Sequence, residues 1–338
     1  MKPENIWKKL EREGPGIAET GMVQYLLTPD SPVDIFLSLD LPTKKRMLIL
    51  RTDIKYIYKP DNFPDLKGID VNTGRITGDE KSLGNITLTQ KDPQNSEIFS
   101  ALAEDLIQVV KDSKLKKEAI KSFYSRLEDW IRFLEKYGDS GLSRERARGL
   151  FGELWFLHKY LILNNYPDSV DSWTGPERTH QDFRFSGVAV EVKTTIMKMP
   201  QKIRIASELQ LDATGLTNLF LYHLSVIERA GDQLILPELV ETIRRSLSSS
   251  PHGKQTFERI LHSAGYLDIH VPKYSQTGYA IKNESFYLVT DAFPKLTGVD
   301  LPPGVGDLRY SVGVSECQPF LVEASSFFDA LNFGCVNE

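Results

Sequence analysis

The stretch QDFRFSGVAVEVKTT, residues 181–195, decides how the rest of the chain is read. Ser186-Gly187 is the natural two-residue turn within it, because glycine reaches a positive φ without steric penalty. That turn sets Phe185 opposite Val188, Phe183 opposite Val190 and Asp182 opposite Glu191. Strand alternation then gathers Phe183, Phe185, Val188, Val190 and Val192 on one apolar face, with Asp182, Glu191 and Lys193 on the other. Directly opposed side chains have Cβ atoms about 4.5–5.5 Å apart, and like charges at that spacing repel. A hard divalent cation between the two acids makes use of the repulsion, since Mg²⁺ is held by one or two carboxylates plus water and substrate phosphates. Lys193 projects from the same face, where an ammonium positions a water or offsets charge growing on a phosphate. The Val192 carbonyl lies between these side chains and is a further candidate metal ligand. The bland alternative is an exposed polar hairpin face with a cross-strand ion pair; it accounts for the lysine but not for the facing acids.

A fourth acid precedes the hairpin. In RGLFGELWFL, Glu153 sits roughly 60° around a helix from Leu150, at the margin of the apolar stripe, from where it could reach the same metal. The alternative is a solvated side chain or one paired with Arg146 or Arg148. Gly152 weakens that helix and hints at close approach of another backbone. His180, two residues before Asp182, is a possible auxiliary, and so is Gln210 after KIRIAS, as a group that orients the site. Trp173 in WTGP reads as a packing anchor. Lys193, Lys198, Lys202 and Arg204 fall within twelve residues that hold no acid. With Arg178, Lys198, Lys202 and Arg204 are candidate phosphate contacts; a solvated basic edge is the other reading.

Asp182, then Glu191-Val192-Lys193 after a short hairpin, with a helical glutamate before them, resembles the core of the PD-(D/E)XK nuclease superfamily. RGLFGELWFL, the WTGP loop (173–176), HQDFRF and VAVEVKTT are also similar to a bacterial family known as PD-(D/E)XK motif proteins. The likeness covers roughly residues 143–227. Two departures stand out: Asp182 follows Gln181 and not proline, and the superfamily varies in its helical glutamate. The resemblance implies a restriction-endonuclease-like core, Mg²⁺-dependent cleavage of DNA with Mn²⁺ able to substitute, and a setting in bacterial restriction or antiphage defence. It also implies possible company: a second copy of the chain, or an ATPase, helicase or methyltransferase.

Outward from this core the chain reads as α/β (α+β), a central mixed sheet flanked by helices. VDIFLSLDL (33–41) puts Val33, Ile35, Leu37 and Leu39 on one face, and RMLILRT (46–52) follows the polar turn LPTKK as the second strand of a hairpin. Helices are expected at 96–112, at 116–137 with Ile120, Phe123, Leu127, Trp130, Ile131 and Leu134 in register, and at 144–163 behind an N-cap at Ser143. KIRIAS and TNLFLYHLSVIE read as strands, 237–248 and 254–264 as helices, and the tail as strands again. The expected division is a β-rich N-terminal domain at 1–95, a helical connector at 96–140, the core at 141–265 and a β-rich C-terminal region at 266–338.

Composition limits the function classes. The 338 residues are 41% hydrophobic and 26% charged, ordinary for a soluble globular protein. MKPENIWKKLEREG carries charge with no apolar run after it, so no signal peptide is expected, and no stretch suits a membrane span. Two cysteines, Cys317 and Cys335, argue against a disulfide framework and for a reducing cytoplasm. A net charge of −5 is unlike a free-standing non-specific nucleic-acid binder, so polyanion contact must come from a local patch. HGKQT (252–256) is no P-loop, GVSEC (313–317) is no nucleophile elbow, and the six histidines show no zinc spacing. The residues therefore point to a metal-dependent DNA endonuclease. The alternatives are a catalytically silent binding subunit on the same fold, and a ribonuclease or repair nuclease.

Overall fold

Val33, Ile35, Leu37 and Leu39 are all buried, as their alternation requires, and they anchor the first of two units. The computed structural model describes residues 3–17, 21–27, 31–58, 68–76, 82–93, 96–137, 141–166, 168–177, 179–230 and 233–334. Its packing separates Met1–Ser140 from Gly141–Glu338. In the first unit, strands β1 (Met22–Leu26), β2 (Asp34–Asp40), β3 (Arg46–Asp53), β4 (Ile69–Arg75) and β5 (Leu83–Gln90) form an antiparallel sheet of order β1-β2-β3-β5-β4. Helix α1 (Pro3–Ile17), not anticipated from the sequence, buries Ile6, Trp7 and Leu10, and Trp7 Nε1 donates to the Ser38 carbonyl at 3.0 Å. Helices α2 (Ser96–Lys111) and α3 (Lys116–Tyr137) follow, and the six apolar residues named for α3 are all buried.

The second unit carries the functional reading. Ser143 caps α4 (Arg144–Phe156), its hydroxyl accepting from the Arg146 N–H at 3.3 Å. The helix continues as a π-helical turn over Leu157–Ile162, where a regular α-helix was expected. Strands β6 (Phe183–Arg184), β7 (Val188–Ile196), β8 (Lys202–Ile205), β9 (Asn218–Arg229) and β10 (Leu234–Ile235) come next, then helices α5 (Leu236–Ser246) and α6 (Pro251–Ala264). Strands β11 (Gly278–Leu288), β12 (Tyr310–Gly313) and β13 (Leu321–Val322) end the series. The main sheet runs β10-β11-β9-β7-β6 with β13 beside β11, and β7 and β9 are parallel while the other pairs are antiparallel. A mixed α/β fold with a restriction-endonuclease-like arrangement is what this order gives. Both faces of β7 are buried from Val188 to Val192, so it is a central strand and not the half-exposed hairpin limb that alternation alone suggests.

One face of the sheet packs Ala189, Leu219, Leu221 and Tyr287 against Ile203, Ile205 and Val312 of the β8–β12 ribbon. On the other, Phe156, Phe183, Tyr222, Phe286 and Phe327 stack together. Residues 266–338 are thus woven into the same unit as 141–265: β11 lies inside the sheet and β12 pairs with β8. The strand expected at PFLVEAS shrinks to two residues, and Ala324–Gly334 is helical because Phe327 and Leu331, one turn apart, both enter the core. Cys317 is a buried free thiol in the ribbon core, and Cys335 lies outside the described residues. Among the described residues no helix is long and apolar enough to cross a membrane.

Candidate active site

The site begins with where β6 stops. The register pairs Phe183 with Val190 and Arg184 with Ala189, and Phe185 N–H donates to the Val188 carbonyl at 2.8 Å around Gly187, whose φ is +71°. This is the hairpin expected from the sequence, except that strand pairing ends at Phe183 and Val190, so Asp182 and Glu191 are not a cross-strand pair. β6 covers only two residues, so past Val190 its side of β7 has no strand partner among the described residues. Asp182 takes over there: its Oδ2 accepts from the Val192 N–H at 2.8 Å. The N–H and C=O of one strand residue leave on the same side, so the Val192 carbonyl faces this open edge too.

Two close approaches fix the acids around that edge. A Cβ on Gly152 would sit 1.7 Å from Thr194 Oγ1, so only glycine lets α4 lie this near β7; the neighbour is a side chain, not the backbone expected. The approach brings Glu153 to the site. A Cβ on Gly175 would lie 3.0 Å from the Asp182 Cα, and the Thr174 and Gly175 N–H groups donate to the Asp182 carbonyl at 2.9 and 3.0 Å. Trp173 in the same loop is fully buried and donates from Nε1 to Glu153 Oε2 at 2.8 Å. The loop therefore holds both acids, a role the sequence signalled only as packing. Arg148 pairs with Glu228 at 2.9 Å, and Trp173 is the group that meets Glu153.

Lys193 closes the arrangement. Its Nζ lies 2.7 Å from Glu191 Oε1 and donates to Gln210 Oε1 at 2.9 Å. Gln210 Oε1 also accepts from the Ala206 N–H at 2.8 Å, so the amide is a fixed rest for the ammonium. Glu191 is 1% exposed, and its Oε2 has no hydrogen-bond partner among the described residues. Burial, then the Asp182 charge, pushes the Glu191 carboxyl up to about 8, against a smaller opposing pull from Lys193. Burial and the Asp182 charge also hold Glu153 well above the usual carboxylate range, and burial raises Asp182 although Lys193 and the Val192 N–H oppose it. Burial alone would lower Lys193, but the Glu191 and Asp182 carboxylates outweigh it and raise the ammonium. Three acids around one lysine, Glu191 buried and Glu153 and Asp182 partly so, are short of positive charge.

These groups line one cleft of about 800 Å³. Lys198, Lys202 and Arg204 line it as well, and so do Arg148 and Arg309. Arg309 comes from the segment before β12, where no local pattern ties it to the site; the β8–β12 pairing carries it there. His180 is not brought in. It is exposed and borders a separate small hollow of about 70 Å³ with Gln181, Arg184 and Asp212. Arg178 lies outside the described residues.

The donors suit a hard cation. Among the described residues no group of three His, Cys, Asp or Glu side chains stands ready as a metal cage. Two carboxylates, the Val192 carbonyl and water are nonetheless the mixed oxygen set that Mg²⁺ or Mn²⁺ accepts. The orphaned, fully buried Glu191 Oε2 is the atom that most needs such a partner. No thiol or imidazole lines the cleft to favour a softer metal.

A family model described as "Putative PD-(D/E)XK family member (DUF4420)" matches residues 3–315. No curated protein and no solved structure matches the chain.

Proposed function

The chain belongs to that PD-(D/E)XK family, and we propose that it is a divalent-metal-dependent nuclease that hydrolyses phosphodiester bonds of DNA. The observation that carries the reading is the convergence of Asp182, Glu191 and Lys193 beside the open edge of β7, with a buried Glu191 oxygen that finds no hydrogen-bond partner among the described residues. Asp182, Glu191 and the Val192 carbonyl would hold the cation, with Glu153 kept in reach by Trp173. A bound Mg²⁺ or Mn²⁺ supplies an activated water and polarises a phosphate oxygen.

The remaining work falls to the protein's own groups. Lys193, propped by Gln210, holds its charge where negative charge grows on the phosphate in the transition state. Lys198, Lys202, Arg204 and Arg309 offer phosphate contacts along the cleft and compensate for the chain's net acidity. We read the cut as falling within a strand, an endonuclease action. We place the activity in a bacterial restriction or defence setting, in the cytoplasm, with a second copy, an ATPase or helicase, or a methyltransferase as candidate partners.

The test is cleavage of plasmid, linear duplex, single-stranded DNA and RNA in Mg²⁺, Mn²⁺ and EDTA, with Lys193→Ala in parallel. Metal-dependent cutting of DNA that Lys193→Ala loses supports the reading. Cutting confined to RNA changes the substrate, and cutting equal in wild type and variant sinks the assignment of Lys193.

A further inference from the structure

The end of β7 and the turn that follows it carry three large apolar side chains in the open: Ile196 is 41% exposed, Met197 55% and Met199 79%. The base of the turn is firmly tied. Met197 N–H donates to the Val226 carbonyl at 2.8 Å, and Gln201 Nε2 donates to Thr195 Oγ1 and Ser225 Oγ at 2.9 and 2.7 Å. Val314 N–H donates to the Gln201 carbonyl at 3.0 Å from the far side. The tip is therefore an apolar point on a fixed mount. A contiguous apolar group ringed by charge on a protein surface marks a place of contact. Here the ring is mainly cationic: Lys198 within the turn, with Lys202, Arg204 and Arg309 lining the same cleft as Ile196 and Met199, against one acid beyond those of the site, Glu145, which lies 3.9 Å from Arg204. From Glu191 to Glu208 the sequence contains no other acid.

We infer that this turn is a wedge for duplex nucleic acid, with Met199 entering between base steps while the surrounding cations take the flanking phosphates. The inference rests on the nuclease reading and specifies how the substrate is engaged: locally unstacked, and presented to the cleft at a distorted step. A duplex has an anionic exterior and a stacked apolar interior reachable through its grooves, and apolar side chains of this kind, methionine included, unstack steps in that way. An anionic membrane also attracts basic and apolar groups together. A flat headgroup surface, however, does not enter the concave cleft that Met199 lines together with Glu153, Asp182 and Glu191.

The experiment uses the full chain in a Lys193→Ala background with Mg²⁺, so that a duplex carrying 2-aminopurine stays whole, with cleavage by the otherwise wild-type chain followed in parallel. Binding should raise 2-aminopurine fluorescence at one or two steps. Met199→Ala should remove most of that rise and weaken binding by about tenfold, Met199→Leu should restore both, and a Lys202→Ala/Arg204→Ala variant should weaken binding but keep the fluorescence rise per bound complex. Tight binding and cutting with no fluorescence rise, or a rise that Met199→Ala leaves intact, overturns the wedge and leaves the nuclease reading standing. Absence of both binding and cutting overturns the two together. If Met199→Ala instead abolishes self-association in sedimentation, or adsorption to anionic vesicles, while DNA binding is unchanged, the turn serves that contact and the wedge is wrong. Met199 is so exposed that its replacement leaves the core untouched, so these outcomes are not confused with misfolding.

Discussion

Glu191 concentrates the chemistry in one side chain: 1% exposed, its Oε1 2.7 Å from Lys193 Nζ and its Oε2 without a side-chain partner among the described residues. Its carboxyl is raised to about 8 from an ordinary 4.5, so between those values the folded chain binds more protons than the unfolded one. Stability of the metal-free protein should therefore fall as pH climbs through that window and level off above it. Thermal melting in EDTA from pH 5 to 9 measures this, and Glu191→Gln should flatten the profile and melt higher than wild type at pH 9. A profile unchanged by Glu191→Gln would refute the assignment. The same acid must lose its proton to ligate, so metal affinity should strengthen towards pH 8 with protons released on binding, which titration in buffers of different ionisation enthalpy detects. Asp182, Glu191 and Lys193 were legible in the sequence because alternation and turn chemistry are local rules. The Trp173–Glu153 bond was not, since twenty positions separate residues whose meeting depends on how α4 and the WTGP loop pack.

At the scale of elements, the contact between α4 and β7 positions the site, and Gly152 permits it. Gly152→Ala places a methyl 1.7 Å from Thr194 Oγ1, so the helix must shift or the threonine rotate. We expect a loss on the order of 2–3 kcal/mol in denaturant midpoints, and loss of metal binding as Glu153 is displaced. Thr194→Ala removes the clashing hydroxyl, and the double variant should recover most of the stability, a coupling that a double-mutant cycle reads directly. Additive effects would show that the contact is not the constraint. The sequence flagged Gly152 as a close approach, yet could not say that a threonine two strand positions beyond Val192 was its neighbour. The helices α2 and α3 were legible almost to the residue, their apolar spacing being uninterrupted. The strand β11 was placed in the tail without its position in the sheet, because antiparallel pairing with β9 is a long-range choice that alternation alone does not make.

Across the whole molecule, a net charge of −5 coexists with a cleft lined by Lys198, Lys202, Arg204 and Arg309. If those four neutralise four phosphates, log affinity against log salt should slope at about −3 to −4, and Lys202→Ala/Arg204→Ala should make the slope shallower by about two. An unchanged slope would place the phosphate contacts elsewhere. Composition announced the need for such a patch, and the acid-free run supplied most of it. Arg309 stayed hidden because it lies more than a hundred residues downstream of that run and reaches the cleft only through the pairing of β8 with β12. Whether the acids hold a hard divalent cation is read by calorimetric titration of the full chain with Mn²⁺ near pH 8, beside Asp182→Asn. Saturable binding to the wild type that Asp182→Asn loses is the expected result. No heat of binding in either protein, in buffers of differing ionisation enthalpy, would contradict it and leave the acid pair a feature of the scaffold.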